Sequence, residues 1–350
     1  MGLEAINEAR RQAEVCNACR YCEGYCSVFP ELHSKRAFTD GDITHLANLC
    51  HNCQGCYYAC QYTAPHAFDL NMPAALAAVR REAWEDYAWP QPFARAFHRS
   101  GVAIAAAGVV CFAAIFLLIQ ALPEPQGEGF YAIMSHRLMV LIFGPVFVLP
   151  LVGMGVSLRR YWRDIGGGRL GPGAVLSALK SAGAMRNLKG GHGDGCNFED
   201  EDRFSHARRY AHQMIMYGFL LCFMSTASGT IMHYGFDWQA PYGPWTPPKL
   251  LGVPGGILLV IGTIWFAGLK LKSNREVGDR DAFGAEMAFV LLLFLTALSG
   301  LVLYLFGATS GAPVLLAIHL GAVACLFLIT PYSKMVHGFY RLLALVKAGG

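Results

Sequence analysis

An all-α protein in two parts is predicted by three features of this 350-residue chain. Its composition shifts sharply near residue 100: residues 1–99 carry two cysteine runs and many charges, whereas residues 100–350 are dominated by long apolar stretches. Six of these stretches are long enough, or nearly so, to cross a bilayer, which takes about 20 apolar residues. The chain as a whole is 54% hydrophobic and 15% charged, a membrane-like balance.

The first part, residues 1–95, reads as helical. An amphipathic helix over 3–15 runs into the first cysteine run. Asp40 or Asp42 is placed to cap a second helix, 42–50, that ends at the second run. A turn with Pro65 and a helix over 73–87 follow, and Trp89-Pro90-Gln91-Pro92 marks a linker. The start, Met1-Gly2-Leu3-Glu4-Ala5, has neither the basic flank nor the apolar run of a secretory signal.

The second part, 96–350, holds the spans, at about 101–121, 137–158, 211–233, 250–271, 283–306 and 314–332. Pro254-Gly255-Gly256 sits in the lead-in to the fourth, and Pro331 breaks the last. A long loop, about 159–207, contains Gly166-Gly167-Gly168, a surface helix over 174–188, and the segment His192-Gly193-Asp194-Gly195-Cys196. No P-loop Lys-Ser/Thr pattern follows the glycines, so the loop is expected to dock the first domain rather than bind phosphate. Cys196 reads as a lone loop thiol, with a metal site shared with His192 as the alternative. Lys and Arg crowd the loops on the amino-terminal side, while the opposite side has only Arg137 and Lys249. By the positive-inside rule both termini and the cysteine domain are cytoplasmic, at an inner (cytoplasmic) membrane. The net charge of +4 is accounted for by this topology and implies no nucleic-acid partner.

The cysteines carry the chemistry. Cys16-x2-Cys19-x2-Cys22-x3-Cys26 is repeated as Cys50-x2-Cys53-x2-Cys56-x3-Cys60. Each run has the ligand spacing of a bacterial ferredoxin, in which the fourth thiolate serves the other cluster. The expected sets are Cys16, Cys19, Cys22 and Cys60 for one [4Fe–4S] cluster, and Cys50, Cys53, Cys56 and Cys26 for the other. Structural zinc would pair Cys-x2-Cys units over a longer gap, and disulfides would suit a secreted chain. Ferredoxin runs place Pro directly after the fourth Cys, but here the next prolines are Pro30 and Pro65. The fold expected is thus a helical-ferredoxin-like domain with two clusters, joined to a six-span helical bundle of cytochrome b type.

Ionisable residues inside a membrane default to functional roles, and in an electron carrier the role to test is axial ligation of b haem by histidine pairs. His319 and His337 are 18 residues apart, which on one straight helix puts them on one face roughly 27 Å apart. Pro331 can kink that helix. The third span, running the opposite way, carries His212 and His233, so antiparallel packing pairs His212 with His337 and His233 with His319. His136 competes for the outer position, and every one of these histidines has the alternative of a hydrogen-bonded interfacial anchor. Cys111, Cys222 and Cys325 read as small core residues.

Val15-Cys16-Asn17-Ala18-Cys19-Arg20-Tyr21-Cys22-Glu23-Gly24-Tyr25-Cys26, with Leu49-Cys50-His51-Asn52-Cys53 and Cys56-Tyr57-Tyr58-Ala59-Cys60, resembles the tricarballylate (citrate) utilization protein B family over essentially the whole chain. The membrane half is similar to the haem-binding gamma subunit of respiratory nitrate reductase. The residues that carry this are His319-Leu320-Gly321 through Pro331-Tyr332-Ser333-Lys334-Met335-Val336-His337 and Leu158-Arg159-Arg160-Tyr161. That family's preceding haem helix has two histidines ten residues apart; here the first matches His212 and the second position is Cys222. The outer ligand is then His233 or His136, or one haem is present rather than two.

The resemblance implies an electron-transfer protein that takes electrons from an FAD-dependent dehydrogenase of a tricarballylate- or citrate-type acid and passes them through two [4Fe–4S] clusters and haem b to membrane quinone. The alternatives are an iron–sulfur/cytochrome b subunit of another quinone-linked reductase, heterodisulfide-reductase-like or nitrate-reductase-like, and a redox sensor, for which no output domain is visible. No flavin or nicotinamide fingerprint stands in the chain, so dehydrogenase chemistry is assigned to the partner.

Overall fold

Helix caps and cysteine turns alternate through the first hundred residues of the computed structural model, which describes residues 2–121, 131, 133–190, 193–197 and 203–349. Helix α1 (Leu3–Cys19) runs one turn further than its apolar pattern suggests. It stops at Arg20, whose φ of 58° is left-handed and whose N–H reaches the Cys16 carbonyl. Cys16 and Cys19 are therefore neighbours on its last turn. Then come α2 (Val28–His33), α3 (Asp40–Leu49), the short α4 (Gly55–Tyr58) and α5 (Met72–Tyr87). Neither Asp40 nor Asp42 is the cap of α3. Thr39 is, accepting from the Asp42 N–H while the Asp42 carboxylate accepts from the Thr39 N–H, a reciprocal capping box.

The core of this domain joins Ile6, Ala9 and Ala13 of α1 to Ile43, Leu46 and Leu49 of α3 and to Leu76 and Val79 of α5. One further member comes from the far end of the chain, Ala344 of α13 (His337–Ala348), which is fully buried there. His45 on α3 donates from Nε2 to the Ala344 carbonyl at 3.0 Å. Trp84 stacks on Tyr340 of the same helix with ring centroids 5.9 Å apart. The two ends of the chain thus build one core.

The expected linker at Trp89-Pro90-Gln91-Pro92 is instead a helix start. Pro90 is the N-cap residue and Pro92 lies in the first turn of α6 (Gln91–Gln120), where a missing N–H leaves nothing unpaired. The break comes at Ser100 (φ −140°, ψ 36°), just past His98 and Arg99 and before the apolar run. The remaining elements are α7 (His136–Asp164), α8 (Pro172–Gly183), α9 (Ala207–Phe236), α10 (Pro247–Lys272), α11 (Phe283–Phe306) and α12 (Ala312–Ile329). The surface helix α8 ends at Gly183 rather than 188, because Met185 turns left-handed (φ 47°) and opens a 3-10 turn. Among the described residues, six helices are long and apolar enough to cross a membrane, the last counted through Tyr332. Among the described residues no strand forms; Cys196 and Ser205 make an isolated bridge.

Within the bundle, α9 and α10 approach through small residues, the usual currency of close membrane-helix packing. A Cβ on Gly255 would stand 2.8 Å from the Leu221 Cβ. Helices α6, α11 and α12 share a core of Phe97, Val109, Phe289, Leu293, Ala322 and Leu326. Cys325 is buried in it, as expected; Cys222 is only half-buried, and Cys111 faces outward because it lies on the outer side of α6. The straight helix expected from His319 to His337 does not form. Pro331 cannot donate an i→i−4 bond, and two 3-10 turns, Thr330–Tyr332 and Lys334–Val336, separate α12 from α13.

Candidate functional site

Five cysteines, Cys16, Cys19, Cys22, Cys56 and Cys60, line one cavity of about 280 Å³. The first two come from the end of α1, Cys22 from the turn beyond it, and Cys60 from the turn after α4. Burial, then neighbouring cysteines, pushes the Cys16 thiol up to about 12, and the same order of causes takes Cys22 to about 12. Cys26 is held well above the ordinary thiol range by burial and then by Cys53 and Cys50. Cys56 is raised by burial and then by the same two neighbours. The fourth cysteine of each run is thus drawn to the other run. Among the described residues no three His, Cys, Asp or Glu side chains stand together at metal-ligating spacing. The chemistry of the donor set is what fits iron: crowded, buried thiols ionise only when a cation compensates them.

Cys53 is the exception. A hydrogen bond from Cys196 is the first cause that brings its thiol down to about 6. Cys196 was expected to be a lone loop thiol. It is 2% exposed, its loop docks on the second run, and the Asn197 N–H donates to the Cys53 carbonyl at 2.9 Å. His192, its alternative partner, lies outside the described residues.

Three arginines grip the backbone of the second run. Arg80 of α5 donates to the carbonyls of Ala47 (3.1 Å) and Cys50 (2.7 Å). Arg341 of α13 donates to the Cys50 carbonyl at 2.7 Å. Arg208 of α9 donates to the carbonyls of His51 (2.9 Å) and Asn52. Arg208 lies one turn before His212, and Arg341 one turn after His337.

Those two histidines meet. The rings of His212 and His337 are 5.7 Å apart between centroids and nearly perpendicular, at 80°. They look into a cavity of about 510 Å³ that is also lined by Phe219, Phe266, Phe289 and Leu293, and by His51 and Asn52 of the second run. Two imidazoles that held one metal ion between them, each nitrogen about 2 Å from it, would have ring centroids roughly 6 Å apart. The inner pair fits that spacing. The His337 Nδ1–H donates to the Lys334 carbonyl, leaving Nε2 as the free nitrogen, and burial keeps the ring neutral by lowering its pKa far below the ordinary value. His212 Nδ1 has no hydrogen-bond partner among the described residues. In the same cavity, Glu286 of α11 pairs with both Lys270 and Lys334. Burial lowers Lys334 to about 8 against the opposing pull of Glu286.

The outer histidines are arranged differently. His233 meets His136 with centroids only 4.1 Å apart, and His136 Nε2 contacts the Tyr234 hydroxyl at 2.9 Å. That distance suits ring packing and not two ligands facing each other across an iron. His319 Nδ1 instead contacts the Ser299 hydroxyl of α11 at 3.1 Å, with Gly300 directly against its ring. Sequence reasoning missed Arg80, Arg208, Arg341 and Glu286. The only local signal for two of them is the four-residue offset from His212 and His337.

Comparison with known proteins covers both halves. The family model described as citrate utilization protein B matches residues 97–350. The one described as citrate utilization protein B Fer4-like domain matches residues 9–88. The chain is 42% identical over 345 residues to an Escherichia coli protein named citrate utilization protein B, covering 97% of this chain and 91% of that one. No solved structure matches.

Proposed function

This chain belongs to the citrate utilization protein B family, and on that premise we propose that it is a membrane-bound electron carrier in the use of a citrate- or tricarballylate-type acid. Its donor is a reduced FAD-dependent dehydrogenase and its acceptor the quinone of the lipid bilayer. Cys16, Cys19, Cys22 and Cys60 hold one [4Fe–4S] cluster, and Cys50, Cys53, Cys56 and Cys26 the other. His212 and His337 hold one b haem. When bound, these groups supply one-electron carriers whose potentials are set by ligands, hydrogen bonds and burial.

The residues of the chain provide the rest. The cysteine turns fix eight thiolates, the Lys334 carbonyl orients His337, and Phe219, Phe266 and Phe289 give the inner cavity an apolar wall. The basic loops support a cytoplasmic placement of the cysteine domain and both termini. The observation that carries this reading is the cavity of about 510 Å³ with His212 and His337 on one side and His51 and Asn52 of the second run on the other.

Anaerobic purification with iron, acid-labile sulfide and pyridine-haemochrome assays tests it. The expected result is about eight non-haem iron atoms and one b haem per chain. Zinc without acid-labile sulfide would sink the cluster assignment, and absence of haem the His212–His337 assignment.

A further inference from the structure

We propose that the Cys26, Cys50, Cys53 and Cys56 site is the one from which electrons leave for the membrane half, that the Cys16, Cys19, Cys22 and Cys60 site receives them, and that Arg80 and Arg341 raise the reduction potential of the leaving site. This rests on the function proposed above and adds to it an order and two tuning residues.

Position comes first. The cavity holding His212 and His337 reaches His51, Asn52 and Gln54 of the second run. Among the described residues, the cavity of the first site is lined by residues between Cys16 and Met72 and by none of a membrane helix. Exposure points the same way. Cys19 is exposed and Tyr21, at the mouth of the first site, is 69% exposed, whereas Cys50 and Gln54 are buried. Cys19 and Tyr21 thus give a soluble donor its closest approach at the first site.

Charge supplies the gradient. Burial opposes adding an electron to a thiolate-ligated site, because the reduced form carries more negative charge. Arg80, 5% exposed, and Arg341 converge on a single carbonyl, that of Cys50, at 2.7 Å each. Neither makes an ion pair with a carboxylate among the described residues; Arg80 spends its hydrogen bonds on the carbonyls of Ala47 and Cys50, and Arg341 on those of Asn48 and Cys50. The buried Arg80 and the half-buried Arg341 are less screened by solvent than a surface cation and favour the reduced state. The nearest cation in sequence to the first site, Arg20, is exposed and screened.

Each transfer moves one electron: the receiving site is oxidised by one as the leaving site is reduced by one. A dihydroflavin on the donor gives two electrons in two such steps and releases two protons, and a quinone takes up both electrons with two protons.

The test is an EPR-monitored redox titration of the full-length protein carrying its clusters. Cys19→Ser marks the receiving signal by altering or abolishing it. Arg341→Gln is expected to lower the reduction equilibrium constant of the other signal at least tenfold, about 59 mV for a one-electron couple, and Arg341→Lys to restore most of it. Arg80→Gln gives the same readout from a different helix if Arg341→Gln does not assemble. Power saturation adds an independent measure: the signal untouched by Cys19→Ser is expected to relax faster when the haem is ferric. A shift confined to the Cys19-marked signal, or two normal signals with unmoved potentials, overturns this proposal alone. Wild-type protein lacking acid-labile sulfide overturns it together with the function on which it rests.

Discussion

Arg341 reaches from the first turns of α13 to the carbonyl oxygen of Cys50, 2.7 Å away, although 291 residues separate them in the chain. The same helix begins at His337. One rigid element of three turns therefore carries a candidate haem ligand at its start and, one turn later, a hand on the second cysteine run. Its placement makes the separation between the two sites a property of a helix rather than of a loop.

His337→Ala is expected to abolish b haem while leaving non-haem iron unchanged, because His337 presents Nε2 to the inner cavity and takes no part in the cysteine turns. Pyridine-haemochrome and iron assays on one preparation decide it. A normal haem spectrum would refute the ligand.

Exchange of the fourth thiolates has its own signature. Cys60→Ser should damage the same EPR signal as Cys19→Ser, and Cys26→Ser the other, since Cys60 neighbours Cys16 and Cys22 while Cys26 neighbours Cys50 and Cys53. Each variant should lose about four of about eight iron atoms. Cys60→Ser acting on the Cys53 signal would mean that each run binds its own cluster.

Glu286→Gln leaves Lys270 and Lys334 facing each other in a buried cavity without their shared carboxylate. Removing one partner of a buried ionic group costs about 3–5 kcal/mol. Thermal unfolding in detergent should show a clear fall in midpoint. If Glu286→Gln and wild type melt together, the triad is not structural.

Acid should loosen the docking of α13. Burial, the first cause, lowers His45 to about 4, outweighing its hydrogen bond to the Ala344 carbonyl. The folded protein thus binds fewer protons here than the unfolded chain between about 4 and the ordinary value of 6.5, so stability rises with pH across that window. It is intact above 6.5 and falls as pH drops toward 4, by at most about 3 kcal/mol. Glu31 and Lys347 flank the ring and their charges modulate the slope. Melting curves at pH 7 and 5 should diverge in wild type and converge in His45→Gln.

Much of this was legible in the sequence because it is local. Membrane helices announce themselves by runs of apolar residues, so the six spans lie close to where hydropathy puts them. Cysteine spacing is likewise a short-range signal. The pairing of His212 with His337 follows from antiparallel spans and is present. What the spacing of His319 and His337 could not convey is the effect of Pro331, which ends α12 and gives His337 a helix of its own. The partner of His233 depends on how α7 and α9 meet at the outer surface, and there His136 takes the place expected of His319. The arginine grip on Cys50 is a tertiary event among α5, α13 and a turn; no window of sequence contains it.

Ala344 in the core of the first domain has a consequence for biogenesis. That domain leaves the ribosome first, yet its core lacks a wall until α13 has been made and every membrane helix before it has been inserted. The packing around the cysteine runs is therefore incomplete until α13 has been made. A chain arrested before α13 would then be recognisable to quality control by the unfinished core of its first domain.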